Sequence, residues 1–381
     1  MFNVSDSLRV LSERMGLART TPDAARVHLD AAIAWLEYAQ DATPDDGVSQ
    51  TFLVRPRHWA ASYPETTGYI IPTLYRYWHL SGDADARARA LRMAHWECEV
   101  QHASGGVLAG ALGDSSEPTI FNTGQVLFGW VRAYEEEHDA RFLDSARRAA
   151  RWLCEVQDAD GCWRRFASPM TGKQPNVYNT RSAWGLARVH QITGEQAFLD
   201  AAVRNCEWAL GERTPNGWLA HNCLQDDRQP FVHTIAYAMR GLLEVGAYAQ
   251  REDFLAAAVT IGDALLRALP DNGALPGRFD ANWQPTVRWS CLTGDAQIAI
   301  NWGRLARITG EARFSDAVPR INRFVKSTQR LRGDPEQRGG IKGSHPINGS
   351  YHPWQYPNWA AKFFADALMM EMALAGECDV Y

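Results

Sequence analysis

Glu155-Val156-Gln157-Asp158-Ala159-Asp160-Gly161-Cys162-Trp163, followed by Tyr178-Asn179-Thr180-Arg181 and by Thr193-Gly194-Glu195 ahead of Phe198, decides the fold, because each of these landmarks recurs along the chain. Glu-Val-Gln stands also at 99–101, and Trp218 follows Gly217 much as Trp163 follows Gly161. Glycines closing short polar loops fall at Gly47, Gly106, Gly161, Gly217, Gly273 and Gly340. A threonine opening an apolar stretch recurs at Thr67, Thr123, Thr180, Thr234 and Thr293. A polar turn precedes the next helix at Ser81-Gly82-Asp83, Glu137-His138-Asp139, Thr193-Gly194-Glu195, Arg251-Glu252-Asp253 and Thr309-Gly310-Glu311, and Phe142, Phe198, Phe254 and Phe314 follow it. Landmarks that keep step at a period of about 56 residues over six copies mark a repeat architecture.

Each copy reads as two helices. Phe198, Ala202, Cys206 and Ala209 form one apolar stripe with Arg204 and Glu207 off it, the pattern of an outer, half-exposed helix. Ile298, Ala299, Ile300, Trp302, Leu305, Ala306 and Ile308 are apolar on most sides, the pattern of a helix buried all round. The spacing predicts outer helices over 24–40, 83–101, 140–157, 196–210, 252–268 and 312–329, and inner helices over 66–80, 123–137, 180–193, 233–249, 293–308 and 358–375. Six hairpins that cannot bury their inner faces alone imply an all-α fold, one (α/α)6 toroid over residues 1–381 with residues 1–20 as an N-terminal extension. Asn122-Thr123 and Asn179-Thr180 read as helix N-caps. Arg76, Arg132, Arg188, Arg240 and Arg304, late in the inner helices, read as cations that suit helix C-termini.

The 381 residues hold 44 acidic against 39 basic side chains, a net charge of -5 without a basic tail, which argues against nucleic acid as a partner. No stretch is apolar enough for a membrane span. Asp6, Arg9, Glu13 and Arg14 break any signal-peptide core, so a cytoplasmic location is expected. Seven cysteines without a CxxC pair read as reduced thiols, and scattered Cys and His give no metal-ligand spacing. Walker, Rossmann and HExxH motifs are absent, as is an Asp-x-Asp-Asp run, so neither cofactor nor metal is expected. Oligomeric state is not legible.

In a toroid all inner helices start on one face, and the long glycine-containing loops lead into it, so chemistry is expected there. Fifteen Trp, 12 Tyr and 14 Phe supply faces for sugar rings. Trp59, Tyr69, Asn122, Trp163, Arg181, Trp218, His221, Arg288, Trp289, Lys342, His352, Trp354 and Tyr356 are the expected substrate-binding residues, and their basic excess suits an anionic saccharide. Glycoside hydrolysis needs two carboxyl groups, for which Glu65, in Tyr63-Pro64-Glu65-Thr66-Thr67-Gly68-Tyr69, and Asp295 are the expected pair. Asp226, Asp227 and Asp280 stand in reserve. Uronate epimerisation or β-elimination instead needs a base for the C5 proton, for which Tyr178, His233, Tyr351 and Tyr356 are candidates, with Asn122, Arg181, Arg288 and Lys342 holding the carboxylate. A non-catalytic glycan-binding protein of polysaccharide biosynthesis is the third reading.

Six helical hairpins with Trp-rich loops resemble the six-hairpin glycosidase superfamily, which includes glucoamylase-like hydrolases and unsaturated uronyl hydrolases. Thr123-Gly124-Gln125, Val131-Arg132-Ala133-Tyr134, Phe142-Leu143 and Arg288-Trp289 are similar to the C-terminal helical domain of glucuronyl C5-epimerases. The resemblance implies a carbohydrate-active enzyme, a hydrolase foremost, with an epimerase or lyase as the alternative.

Overall fold

The computed structural model describes residues 4–172 and 174–380. Six inner helices, α3 (Pro64–Ser81), α5 (Ile120–Glu137), α7 (Thr180–Thr193), α9 (Val232–Ala249), α11 (Leu292–Thr309) and α13 (Asn358–Leu374), pack each on the next, and α13 returns to α3 to close the ring. Six outer helices surround them: α2 (Ala25–Asp41), α4 (Ala84–Glu99), α6 (Ala140–Glu155), α8 (Gln196–Gly211), α10 (Glu252–Ala268) and α12 (Ala312–Thr328). All twelve lie where the periodicity places them. The apolar core is continuous around the ring, and Phe142, Phe198, Phe254 and Phe314 are fully buried in it. Burying one such side chain contributes about 1.5–3 kcal/mol, so the repeated phenylalanines anchor each outer helix to its inner partner.

The packed hairpin is not the unit that the glycine period suggests. Inner helices pair with the outer helices that follow them, α3 with α4 through α11 with α12, because the connections at Gly82, His138, Gly194, Gln250 and Gly310 are short left-handed turns. Such turns leave antiparallel neighbours as the only option. The sixth pair joins the two ends of the chain, α13 on α2. Asp83 and Asp139 cap their outer helices through the N–H groups of Asp85 and Arg141.

The threonine landmark has a different role from the expected N-cap. Helix α5 starts three residues before Thr123, and neither Thr119 nor Asn179 makes a side-chain cap bond. Thr67 Oγ1 instead accepts from Val48 N, and Thr123 Oγ1 from Val107 N, both at 2.9 Å. Val48 and Val107 directly follow Gly47 and Gly106, so in the first two units the threonine ties the glycine loop to the first turn of its inner helix, whereas Thr180 Oγ1 bonds Ala238 O and Thr234 Oγ1 bonds Asn222 O. Gln101 and Gln157 match likewise: the first donates to Gly105 O and Ser145 O, the second to Gly161 O and Ala201 O. Inner helices also touch through glycines. A Cβ on Gly185 would stand 2.6 Å from Gly124 O, so α5 and α7 approach closely only because that side chain is missing.

Residues 4–14 of the expected extension form α1 (Val4–Arg14), which docks on the last long loop; residues 1–3 lie outside the described residues. Small β-ladders brace the loops, β1 (Thr51–Leu53) pairing with β2 (His58–Trp59) and with β7 (Gln355–Pro357). Among the described residues no helix is long and apolar enough to cross a membrane.

Candidate active site at the N-terminal mouth of the ring

All inner helices begin on one face, and an aromatic cavity opens there along the ring axis. Glu65 and Tyr69 from α3, Phe121 from α5, His233 and Tyr237 from α9 and Trp359 from α13 line it. Loops add Tyr63, Tyr178, Tyr351 and His352. Glu65 to Tyr69 and His233 to Tyr237 are i, i+4 pairs, so each helix presents a polar group at its first turn and a tyrosine one turn deeper.

Glu65 is the carboxyl group of this cavity. Burial raises its pKa to about 7, against the hydrogen bond from the Tyr63 hydroxyl and the attraction of Arg181, both of which lower it. It is therefore a protonated acid below neutrality that can still ionise. Asn122 supports it indirectly, its Nδ2 donating to Leu108 O at 2.8 Å while its side chain hydrogen-bonds Tyr63.

His233 lies opposite in the same cavity. Its Nδ1 is 2.8 Å from Gln297 Oε1, an arrangement that places the proton on Nδ1 and the lone pair on Nε2. Burial lowers its pKa to about 3, so the ring is neutral. His352 is a second neutral imidazole, lowered by burial to about 4, with Nδ1 3.2 Å from Gln355 Oε1. Tyr351 stands between them, its ring centroid 5.1 Å from that of His233 and 4.8 Å from that of His352. Its hydroxyl accepts from Trp359 Nε1 at 2.9 Å. Tyr178 packs edge-on to Phe121 at 4.8 Å, its pKa raised by burial and then by Glu65.

The cavity thus assembles Glu65, Tyr69, Tyr178, His233 and His352 from the expected set, and Tyr351 from the base candidates. Asp295 is not with them. It is fully buried in the first turn of α11, neither oxygen has a hydrogen-bond partner, and burial raises its pKa well above the usual carboxylate range. Arg181 lies below the floor: its guanidinium donates to Gln125 and is boxed by Phe128, Trp184, Tyr237 and Phe363 at 5.0–5.5 Å.

Lys342 is buried in an ion pair with Glu13 of α1 at 2.7 Å, not in the cavity. Trp163 is core, its Nε1 bound to Leu153 O. Trp59 packs among Trp35, Tyr38 and Phe52 beside β1, and Trp218 against Trp283. Trp289 leans on Phe231, Trp354 lies under Arg55, and the Tyr356 hydroxyl accepts from Arg9. Arg288 is exposed, His221 sits in a loop between Glu212 and Asp227, and Asp226 pairs with Arg228. These residues share loops with the site but face other packing demands. Tyr237, Gln297 and Trp359 were missed, although the four-residue step from His233 pointed to the first.

No protein-family model matches the chain, and no curated protein matches it by sequence. Solved structures do match by fold. An unsaturated glucuronyl hydrolase specific for heparin superposes with TM-score 0.75 at 16% identity over 92% of this chain and 98% of its own. A sugar epimerase from a ruminal bacterium superposes with TM-score 0.75 at 13% identity, covering 93% and 98%. Cellobiose 2-epimerase from Bacillus thermoamylovorans gives 0.73 at 11%, covering 91% and 98%. The chain has the (α/α)6-toroid fold of these glycosidase-like enzymes.

Proposed function

We propose that this chain is a carbohydrate-active enzyme that moves a proton on a uronic-acid-containing saccharide, as a C5-epimerase or a lyase. The observation that carries the reading is the juxtaposition in one aromatic cavity of a protonatable Glu65, neutral His233 and neutral His352, with no second carboxylate among its described lining residues. Protonated Glu65 donates a hydrogen bond to the sugar carboxylate, which draws charge from C5 and acidifies its proton. His233 Nε2 accepts that proton, and the substrate's own negative charge raises the basicity of an imidazole that burial otherwise depresses. The electron pair passes into the carboxylate as an enolate. Return of a proton from the opposite face, by a tyrosine hydroxyl of the cavity that is left as the tyrosinate until His233 returns the abstracted proton through solvent, gives the epimer. Loss of the C4 substituent with a proton instead gives an unsaturated sugar. Fold neighbours that include both glucuronyl hydrolases and sugar epimerases support a saccharide substrate.

A hydrolytic reading also has support, because a carboxyl group with a pKa of about 7 suits a general acid. It lacks a partner carboxylate in the cavity, since Asp295 is buried elsewhere. Incubation of acidic and neutral oligosaccharides in deuterium oxide separates the readings. Deuterium at C5 of recovered uronate supports epimerisation, and a new ultraviolet-absorbing product supports elimination. Release of reducing ends without either, lost in Glu65→Gln, transfers the site to a hydrolase.

A further inference from the structure

At the opposite mouth of the ring the inner helices converge on a second, larger cavity, and its chemistry is unlike that of the first. Arg76, Arg132, Arg188, Arg240 and Arg304, one from each of five inner helices, point into it, and α13 supplies Lys362. The expectation that these arginines serve helix C-termini does not fit their positions. Arg76, Arg132, Arg188 and Arg304 stand five residues before the last residue of their helices and Arg240 nine. Helix-dipole stabilisation is confined to about the last turn.

Counting Arg181 at the floor, seven cations and two carboxylates line the cavity among the described residues. Glu244 is shared by Arg240 at 2.8 Å and Arg304 at 2.7 Å, and Asp366 by Arg76 at 3.1 Å and Lys362 at 2.7 Å. Arg132 and Arg188 reach out to Glu136 and Glu135 on the rim. Burial lowers Lys362 to about 7, with Arg181 and Arg76 adding repulsion against the pull of Asp366. An acidic C-terminal segment borders the adjoining opening, where Glu377, Cys378, Asp379 and Val380 share the lining with Arg76, Arg132 and His79.

We infer that this cavity is a binding site for a small polyanion carrying phosphate or carboxylate groups, and that the acidic segment after Gly376 competes with it. Several convergent guanidinium forks match planar or tetrahedral oxyanions bidentately, and the cavity of about 490 Å³ admits more than one such group. The inference stands apart from the reaction proposed for the other mouth.

Isothermal titration of the full chain with pyrophosphate, inorganic phosphate and citrate tests it. The expected result is one site per chain whose affinity falls with added salt. A chain ending at Gly376 should bind about threefold tighter or more, and Arg132→Gln/Arg188→Gln about tenfold weaker or more. Ala247→Trp, which fills the cavity without removing charge, provides a second variant should the charge variant fail to fold. Pyrophosphate or citrate preference identifies the source of the oxyanion, and either supports the site. Absence of binding to both the full and the shortened chain overturns the inference, as does undiminished binding in every variant that folds.

Discussion

The two mouths of the ring are built from the same six inner helices, yet they hold opposite chemistry. The N-terminal mouth is narrow, about 60 Å³ against about 490 Å³ for the other. It is walled by tyrosines and neutral imidazoles around one carboxyl group, whereas the C-terminal mouth is wide and crowded with cations. A chain of net charge -5 thus gathers seven cations around one cavity. The contrast teaches that burial sets function here in opposite ways. In the first mouth desolvation keeps Glu65, His233 and His352 uncharged and ready for proton transfer. In the second, carboxylates shared between cations keep the guanidinium groups charged and in place.

The largest expected effect breaks the first mouth alone. Glu65→Ala removes the hydrogen-bond donor to the sugar carboxylate, and loss of one such charge-stabilising donor costs about 10² to 10³ in rate, so turnover should fall by at least about a hundredfold at a near-native melting temperature. His233→Ala should behave likewise. Full activity in both, measured by product formation, would dissolve the contrast between a chemical and an electrostatic mouth.

Lys342→Met tests residues outside both mouths. Burial alone would raise the pKa of Glu13, but Lys342 holds it below the usual carboxylate range, and the pair is almost wholly enclosed. Removing one partner of a buried pair costs about 3–5 kcal/mol, so chemical denaturation should show a large stability loss. The Michaelis constant for an acidic saccharide should stay unchanged in whatever protein remains folded. A selective rise in that constant would return Lys342 to the substrate site.

The pH profile sharpens the comparison. Glu65 acts in its protonated form with a pKa of about 7, so activity should be level from about pH 5 to 6 and fall as pH rises through 7. His233 and His352, at about 3 and 4, are neutral across that window and add no limb there. An alkaline limb that persists in the residual activity of Glu65→Gln would assign the titration to another group.

The smallest effect belongs to Asp295→Asn. The folded-state pKa of Asp295 is raised, so its ionisation favours the unfolded chain: the cost is absent below the unfolded value of 3.8 and grows as pH rises toward the folded one. The variant should therefore gain melting temperature over the parent between pH 4 and pH 7 while its turnover stays near the parent's. Loss of turnover at full stability would restore Asp295 to catalysis.

The sequence by itself determined the ring. Helix periodicity, left-handed turn residues and the glycine and threonine landmarks are local signals, each readable within one unit, and six copies in phase leave closure as the way to bury the inner faces. It also picked out Glu65, Tyr178, His233 and His352, because they sit at or just before helix starts or in the loops leading there. Only the tertiary structure decided which loop residues converge. Lys342 and Tyr356 serve the docking of α1, Trp163 and Trp59 serve core packing, and Asp295 is buried outside the cavity lining. Arginines that read in sequence as helix-end cations became the lining of a shared cavity. A side chain's role depends on what faces it across the ring, and those partners lie one or more whole repeats away in the chain, beyond the reach of any local pattern.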